Sequence, residues 1–269
     1  MPRTSSATFS CQLRRLVLCI AVFFTPQLPP ASAAEVPLVA AASDLQYALA
    51  DVAEAFSRAS GRSVKLTLGS SGNFTRQIIQ GAPFEIFFSA DEDYVHELVK
   101  RSLTLGEGAL YAVGRLVVFV PNASRVKADA QLKDVSAAID DGRLRRLAIA
   151  NPEHAPYGRA ARSVLMHQRL WEKLQGRLVL GENVSQTAQF ALSGSVDAGM
   201  IAHSLVVAGP MGKQGSFAII PEEWHAPLRQ RMVLLRGAGE TARSFYAFVQ
   251  SSQGRRIFER YGFTLPTGN

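Results

Sequence analysis

The sequence predicts an α/β fold in two lobes, and three observations predict it. Short apolar runs alternate with stretches of helical spacing three times between Val36 and Lys100, the pattern of parallel strands joined by helices packed on both faces of a sheet. The apolar stretch over residues 110–120 is long for one strand and reads as a crossing segment into a second lobe, where strand and helix alternate again. Residues 231–235 then read as a strand that crosses back, and two helices, over residues 241–250 and 253–261, complete the first lobe.

With 269 residues, 47% hydrophobic and 19% charged, the chain is long enough for one large domain or two lobes with separate cores. Residues 1–34 read as a secretory signal peptide. Arg3, Arg14 and Arg15 precede an apolar run over residues 16–24, and prolines lead to Ala31-Ser32-Ala33, a small-x-small cleavage signature. A transmembrane anchor needs about 17 to 25 apolar residues, and this run is shorter. Cys19 follows Leu18 and not the small residue that a lipid-attachment site wants. Both cysteines, Cys11 and Cys19, fall in the leader, so the exported chain can hold neither a disulfide nor a thiolate metal site. Removing the three leader arginines from the formal charge of +7 leaves +4. Mild basicity of this kind says little by itself, although it is compatible with drawing in a small anion, while the absence of a basic stripe with interleaved aromatics argues against nucleic acid.

In chain order, residues 36–42 form an apolar strand that ends at Ser43-Asp44, and Leu45, Leu49, Val52, Ala53 and Phe56 follow at helical spacing. Ser43 is the natural N-cap, and Asp44 suits the positive end of the helix dipole. Residues 64–68 make the second strand, which stops at Gly69-Ser70-Ser71-Gly72 and turns into a helix continuing over residues 74–79. Residues 84–88 make the third strand, with a helix over residues 92–100. In the second lobe, the strand at 147–150 runs through Asn151-Pro152-Glu153-His154-Ala155-Pro156-Tyr157-Gly158 into a helix over residues 159–168. A strand at 177–180 leads through Gly181-Glu182-Asn183-Val184-Ser185 into a helix over residues 186–192, and further strands fall at 198–202 and 217–220. The division is therefore a leader at 1–34, a first lobe at 35–115, a second at 116–223, and a return segment of the first at 224–269.

Four strand-to-helix junctions carry small or hydroxyl residues: Ser43, Ser70/Ser71, Tyr157/Gly158 and Val184/Ser185, two in each lobe. In parallel sheets, ligands sit beyond the carboxyl ends of the strands. Free N–H groups of a first helical turn, together with hydroxyls, favour an anion there. A site made only of donors accepts a fully deprotonated dianion and leaves the O–H of hydrogen phosphate unpaired, which costs about 1 to 3 kcal/mol. It should prefer molybdate, tungstate or sulfate, provided that Asp44 points away as a helix-dipole partner.

Gly237-Ala238-Gly239-Glu240-Thr241-Ala242 fits a dinucleotide fingerprint, but too little chain follows to finish the βαβ unit. Ser71, Asp44 and His154 can be imagined as a hydrolase triad, although Gly69-Ser70-Ser71-Gly72-Asn73 lacks the last glycine of a nucleophile elbow. The five histidines have no metal-ligand spacing. Phe245, Phe248, Phe258, Tyr261 and Phe263 read as core packing on the last two helices.

The runs Ala40-Ala41-Ala42-Ser43, Gly69-Ser70-Ser71-Gly72 with Arg76-Gln77-Ile78, Gly81-Ala82-Pro83 with Phe88-Ser89-Ala90-Asp91, Asn151 to Pro156, and Ile257 to Phe263 resemble the periplasmic molybdate-binding proteins of ABC transporters. The resemblance spans the whole chain after the leader. It implies a type II binding protein of two lobes that closes on molybdate or tungstate in the interlobe cleft. It also implies delivery, as a monomer, to a membrane permease with a cytoplasmic ATPase. No catalysis and no cofactor beyond the bound oxyanion are implied. By the same resemblance, the ligand is held by the hydroxyls of Ser43 and Ser71 and by the backbone N–H groups of Tyr157 and Val184. Many members supply a tyrosine hydroxyl where this chain has Ala202, and many have alanine where it has Tyr157. The Tyr157 phenol is expected to reach the same oxygen, or else to sit at the cleft rim and offer only its N–H.

Overall fold

Residues 36–209 and 211–266 are described by a computed structural model, so the expected leader lies outside the described residues. The first sheet contains β1 (Leu38–Ala42), β2 (Lys65–Gly69), β3 (Ile86–Ser89), β4 (Ala109–Gly114) and β10 (Leu228–Leu234), in the order β2-β1-β3-β10-β4. The second contains β5 (Leu116–Pro121), β6 (Leu147–Ala150), β7 (Leu178–Gly181), β8 (Ala198–Ala202) and β9 (Gly215–Ile219), in the order β7-β6-β8-β5-β9. Helices α1 (Ala48–Ser60), α2 (Ser71–Ile79), α3 (Glu92–Lys100), α9 (Glu240–Gln250) and α10 (Ser252–Arg260) flank the first sheet. The second lobe carries α4 (Lys133–Asp140), α5 (Pro156–His167), α6 (Val184–Leu192), α7 (His203–Ala208) and α8 (Met211–Gln214).

The two sheets repeat one plan. In the first, β1 runs parallel to β2 and β3, and β10 runs antiparallel to β3 and β4. In the second, β6 runs parallel to β7 and β8, and β5 runs antiparallel to β8 and β9. Each sheet thus has four strands in one direction and one reversed, and the reversed strand is the one just received from the other sheet. A chain that leaves one sheet at the carboxyl ends of its strands enters the next at the same edge and must run backwards through it. Both carboxyl edges therefore face one cleft.

The single crossing segment expected over residues 110–120 is two strands, β4 and β5, parted by Arg115. No turn residue other than Gly114 marks the change of sheet, which is why the apolar run reads as continuous. The expected N-cap is also different. Ser43–Leu45 form a 3-10 turn, and α1 begins only at Ala48, with Tyr47 at its cap position and no side-chain cap. Ser43 is not free to cap because its Oγ accepts the N–H of Ser185 from the second lobe at 3.2 Å.

Side-chain alternation along β3 divides the first lobe's core. Phe88 joins Phe56, Phe245 and Phe258 on one face, while Phe87 joins Phe74 and Leu98 on the other. Phe56 and Phe245 meet edge to face with centroids 5.2 Å apart, an arrangement worth about 0.5 to 1.5 kcal/mol beyond burial. The second core gathers Phe119, Leu147, Ile149 and Leu165, and it reaches across the cleft to Ala42 and Ala90 of the first lobe. Phe245 is wholly buried, so Phe245→Ala is expected to lower stability by about 3 to 5 kcal/mol in urea unfolding. A loss below about 1 kcal/mol contradicts this packing.

Candidate anion-binding site

Four helical beginnings meet where the carboxyl edges face each other. The 3-10 turn after β1 supplies Ser43 and α2 supplies Ser71, while α5 and α6 supply Tyr157 and Val184. These residues, with Asp44, Ser70, Pro156 and Asn183, line one gap between the lobes. The cavity left there is about 10 Å³, far below the ~300 to 1,000 Å³ of pockets for larger ligands. No lysine or arginine lines it.

Each donor is prepared by a local bond. Ser71 Oγ accepts the N–H of Ala90 at 3.0 Å and Ser43 Oγ that of Ser185 at 3.2 Å, which leaves both hydroxyl protons to donate. Asn183 caps α6 by accepting from the N–H groups of Ser185 and Gln186 at 3.1 and 3.0 Å. The Val184 N–H, like that of Tyr157 in the first turn of α5, has no intrahelical acceptor. Among the described residues, no turn, cap or loop backbone bond occupies either N–H. Pro156 opens α5 at a position where a missing N–H costs nothing.

The lobes are closed upon each other around this gap. The Gly72 N–H donates to His154 O at 2.9 Å, and Ser70 Oγ is hydrogen-bonded to His154 Nδ1 at 2.9 Å. Arg159 of α5 pairs with Asp91 and lies 4.9 Å from the Tyr94 ring centroid. Gln46 is bonded to Ser185, and Asn73 to Glu182.

The largest departure from expectation concerns Asp44. It does not point away toward a helix dipole. Only 1% exposed, it is the centre of a polar network that joins the lobes. Asp44 Oδ2 accepts from Tyr157 OH at 3.1 Å and from Gln230 Nε2 at 2.5 Å, and Gln230 Oε1 accepts from Tyr111 OH at 2.7 Å. Asp44 Oδ1 is buried with no partner. Burial pushes this carboxyl up to about 6 against the opposing pull of Gln230 and Tyr157. Burial, with the nearby Asp44 charge, holds both phenols well above the ordinary tyrosine range.

The Tyr157 phenol is therefore committed to Asp44 and Gln230, and the expectation that it replaces the hydroxyl missing at Ala202 is not met. Its amide N–H is what Tyr157 offers the gap. Ala202 is buried at the end of β8, outside the residues lining the gap. The imagined triad is not assembled either: Ser71 is engaged with Ala90, Asp44 with Tyr157 and Gln230, and His154 with Ser70 and Glu182. Among the described residues, no group of three or more metal-ligating side chains occurs. Gln230 and Tyr111 were not singled out from sequence. The signal for Gln230 was present, since it falls on the same strand face as Leu228 and Met232, both buried.

Comparison with known proteins adds a family. Residues 37–264 match the family described as bacterial extracellular solute-binding protein. The molybdate-binding protein ModA of Rhodobacter capsulatus is 33% identical over 238 residues, covering 87% of this chain and 90% of that protein. Its counterpart in Azotobacter vinelandii is 32% identical, covering 87% and 92%. A solved structure of the periplasmic molybdate-binding protein of Azotobacter vinelandii superposes with a TM-score of 0.79 at 30% identity, covering 86% of this chain and 100% of that one.

Helix α5 can start where it does only because Gly158 has no side chain: a Cβ there would lie 2.2 Å from the carbonyl oxygen of Ala150, which is backbone and cannot move aside. Gly158→Ala is expected to displace the first turn of α5, lowering stability by about 1 to 3 kcal/mol in thermal unfolding. An alanine variant as stable as the wild type contradicts the close approach.

Proposed function

The chain belongs to the bacterial extracellular solute-binding proteins, among the molybdate-binding proteins of ABC transporters, and on that premise we propose that it captures molybdate in the periplasm and delivers it to the membrane permease. Members of this family are transport components, not enzymes. In this reading the hydroxyls of Ser43 and Ser71 and the N–H groups of Tyr157 and Val184 hold the oxyanion, and no cofactor takes part. The observation that carries it is the meeting of four uncharged donors, two from each lobe, in a gap with no basic side chain. The N-termini of α2, α5 and α6 each contribute about 0.3 to 1 kcal/mol toward a negative charge, and about 2 kcal/mol where water is excluded.

Tungstate has the same charge and tetrahedral shape and is expected to bind as well. The protein acts as a monomer that opens and closes about its two connections, at Arg115 and at residues 220–227, with the dianion bridging the lobes. A thermal-shift and calorimetric screen of tetrahedral oxyanions on the chain lacking residues 1–34 tests the reading. Molybdate is expected to raise the melting temperature and to bind more tightly than sulfate. Ser43→Ala and Ser71→Ala should each weaken binding by about 10- to 100-fold, as loss of a hydrogen bond to a charged group requires. Tighter binding of sulfate overturns the assignment.

A further inference from the structure

Asp44 is the one carboxylate in the lining of the gap. Its Oδ2 is saturated by Tyr157 and Gln230, whereas its Oδ1 is buried without any donor. Among the described residues, no cation pairs with it. The arginines on neighbouring elements are engaged elsewhere: Arg229 and Arg231 of β10 with Glu92, Arg159 of α5 with Asp91, Arg115 before β5 with Glu222 and Arg58 of α1 with Glu54, while Arg162 of α5 lies over the Trp171 ring. His203 at the start of α7 turns to Gly262 O, and His154 lies between Ser70 and Glu182. Asp51 of α1 is bonded to Tyr261, and α6 carries no charged residue. The titratable groups that face Asp44 are thus Tyr157 and Tyr111, both neutral. A dianion in this gap would set two negative charges beside a third in a space that water screens poorly.

We propose that Asp44 determines which anions the gap accepts, its carboxyl being neutral whenever a dianion is held, so that one proton enters from solvent with each anion. This rests on the oxyanion reading above. The neutral carboxyl keeps Oδ2 as the acceptor for Gln230 and Tyr157 and places its proton on Oδ1, which then gains the partner it lacks by donating to the anion. The pocket becomes a set of donors only, suited to molybdate and unsuited to hydrogen phosphate, whose O–H would find no acceptor. A charged Asp44 would do the opposite and select hydrogen phosphate. The empty closed form already holds the carboxyl at about 6, and two further negative charges move its midpoint higher, into the neutral range. Because the complex then holds more protons than the free protein, affinity rises as pH falls toward 6 and levels off below it.

Calorimetric titration of the wild-type protein with molybdate in HEPES and in Tris, at about pH 7.5, measures the protons taken up. The expected result is uptake of about 0.5 to 1 proton per anion and affinity that falls by up to about tenfold per pH unit as pH rises from about 6 to about 8. Asp44→Asn is expected to abolish both the uptake and the pH dependence. Molybdate binding without proton uptake overturns the role of Asp44 and leaves the molybdate reading intact, whereas absence of molybdate binding overturns both. Uptake that persists in Asp44→Asn, or hydrogen phosphate bound more tightly than sulfate, also contradicts the proposal.

Discussion

The cleft depends on one constraint: the first turn of a helix cannot satisfy its own N–H groups. In both sheets that turn follows the carboxyl end of a strand, and the chain's two passages between sheets bring both carboxyl edges to a common gap. The reversal of β10 and β5 is the topological consequence. Two half-sites built on one plan then face each other, each with two helical beginnings, and neither half encloses an ion alone. In the proposed function, closure of the lobes and completion of the donor set are one event.

The same closure buries a carboxylate. Tyr157 arrives from the second lobe and its phenol meets Asp44, while Gln230 and Tyr111 arrive on β10 and β4 of the first. The network satisfies one oxygen of Asp44 and leaves the other without a donor. Burying a charged group with one open valence opposes closure; in the proposed function a proton and an anion together would relieve that cost. Gly114 makes room for this network beside the passage between sheets: a Cβ there would lie 2.2 Å from Tyr157 OH.

Much of this architecture is legible in the sequence because it rests on local chemistry. The alternation of apolar runs and helical spacing locates strands and helices to within a few residues, as with α3 and β8. The serine and glycine junctions mark the helical beginnings at α2, α5 and α6. What escapes is tertiary. Ser43 looks like a cap until Ser185, 142 residues away, takes its Oγ. The Tyr157 phenol looks available until Asp44, 113 residues away, accepts from it. Asp44 itself reads as a dipole partner because nothing near it in sequence announces that Gln230 and Tyr111 will enclose it. The two strands at residues 110–120 read as one because a change of sheet without a tight turn leaves no mark on hydrophobicity.

Crystals grown with molybdate, with diffraction recorded across the molybdenum absorption edge, test the central claim most directly. A single anomalous peak in the interlobe gap is expected, its surrounding oxygens within hydrogen-bond distance of the Ser43 and Ser71 hydroxyls and of the Tyr157 and Val184 N–H groups. A peak elsewhere on the protein, or a gap that stays empty in molybdate-soaked closed crystals, contradicts it.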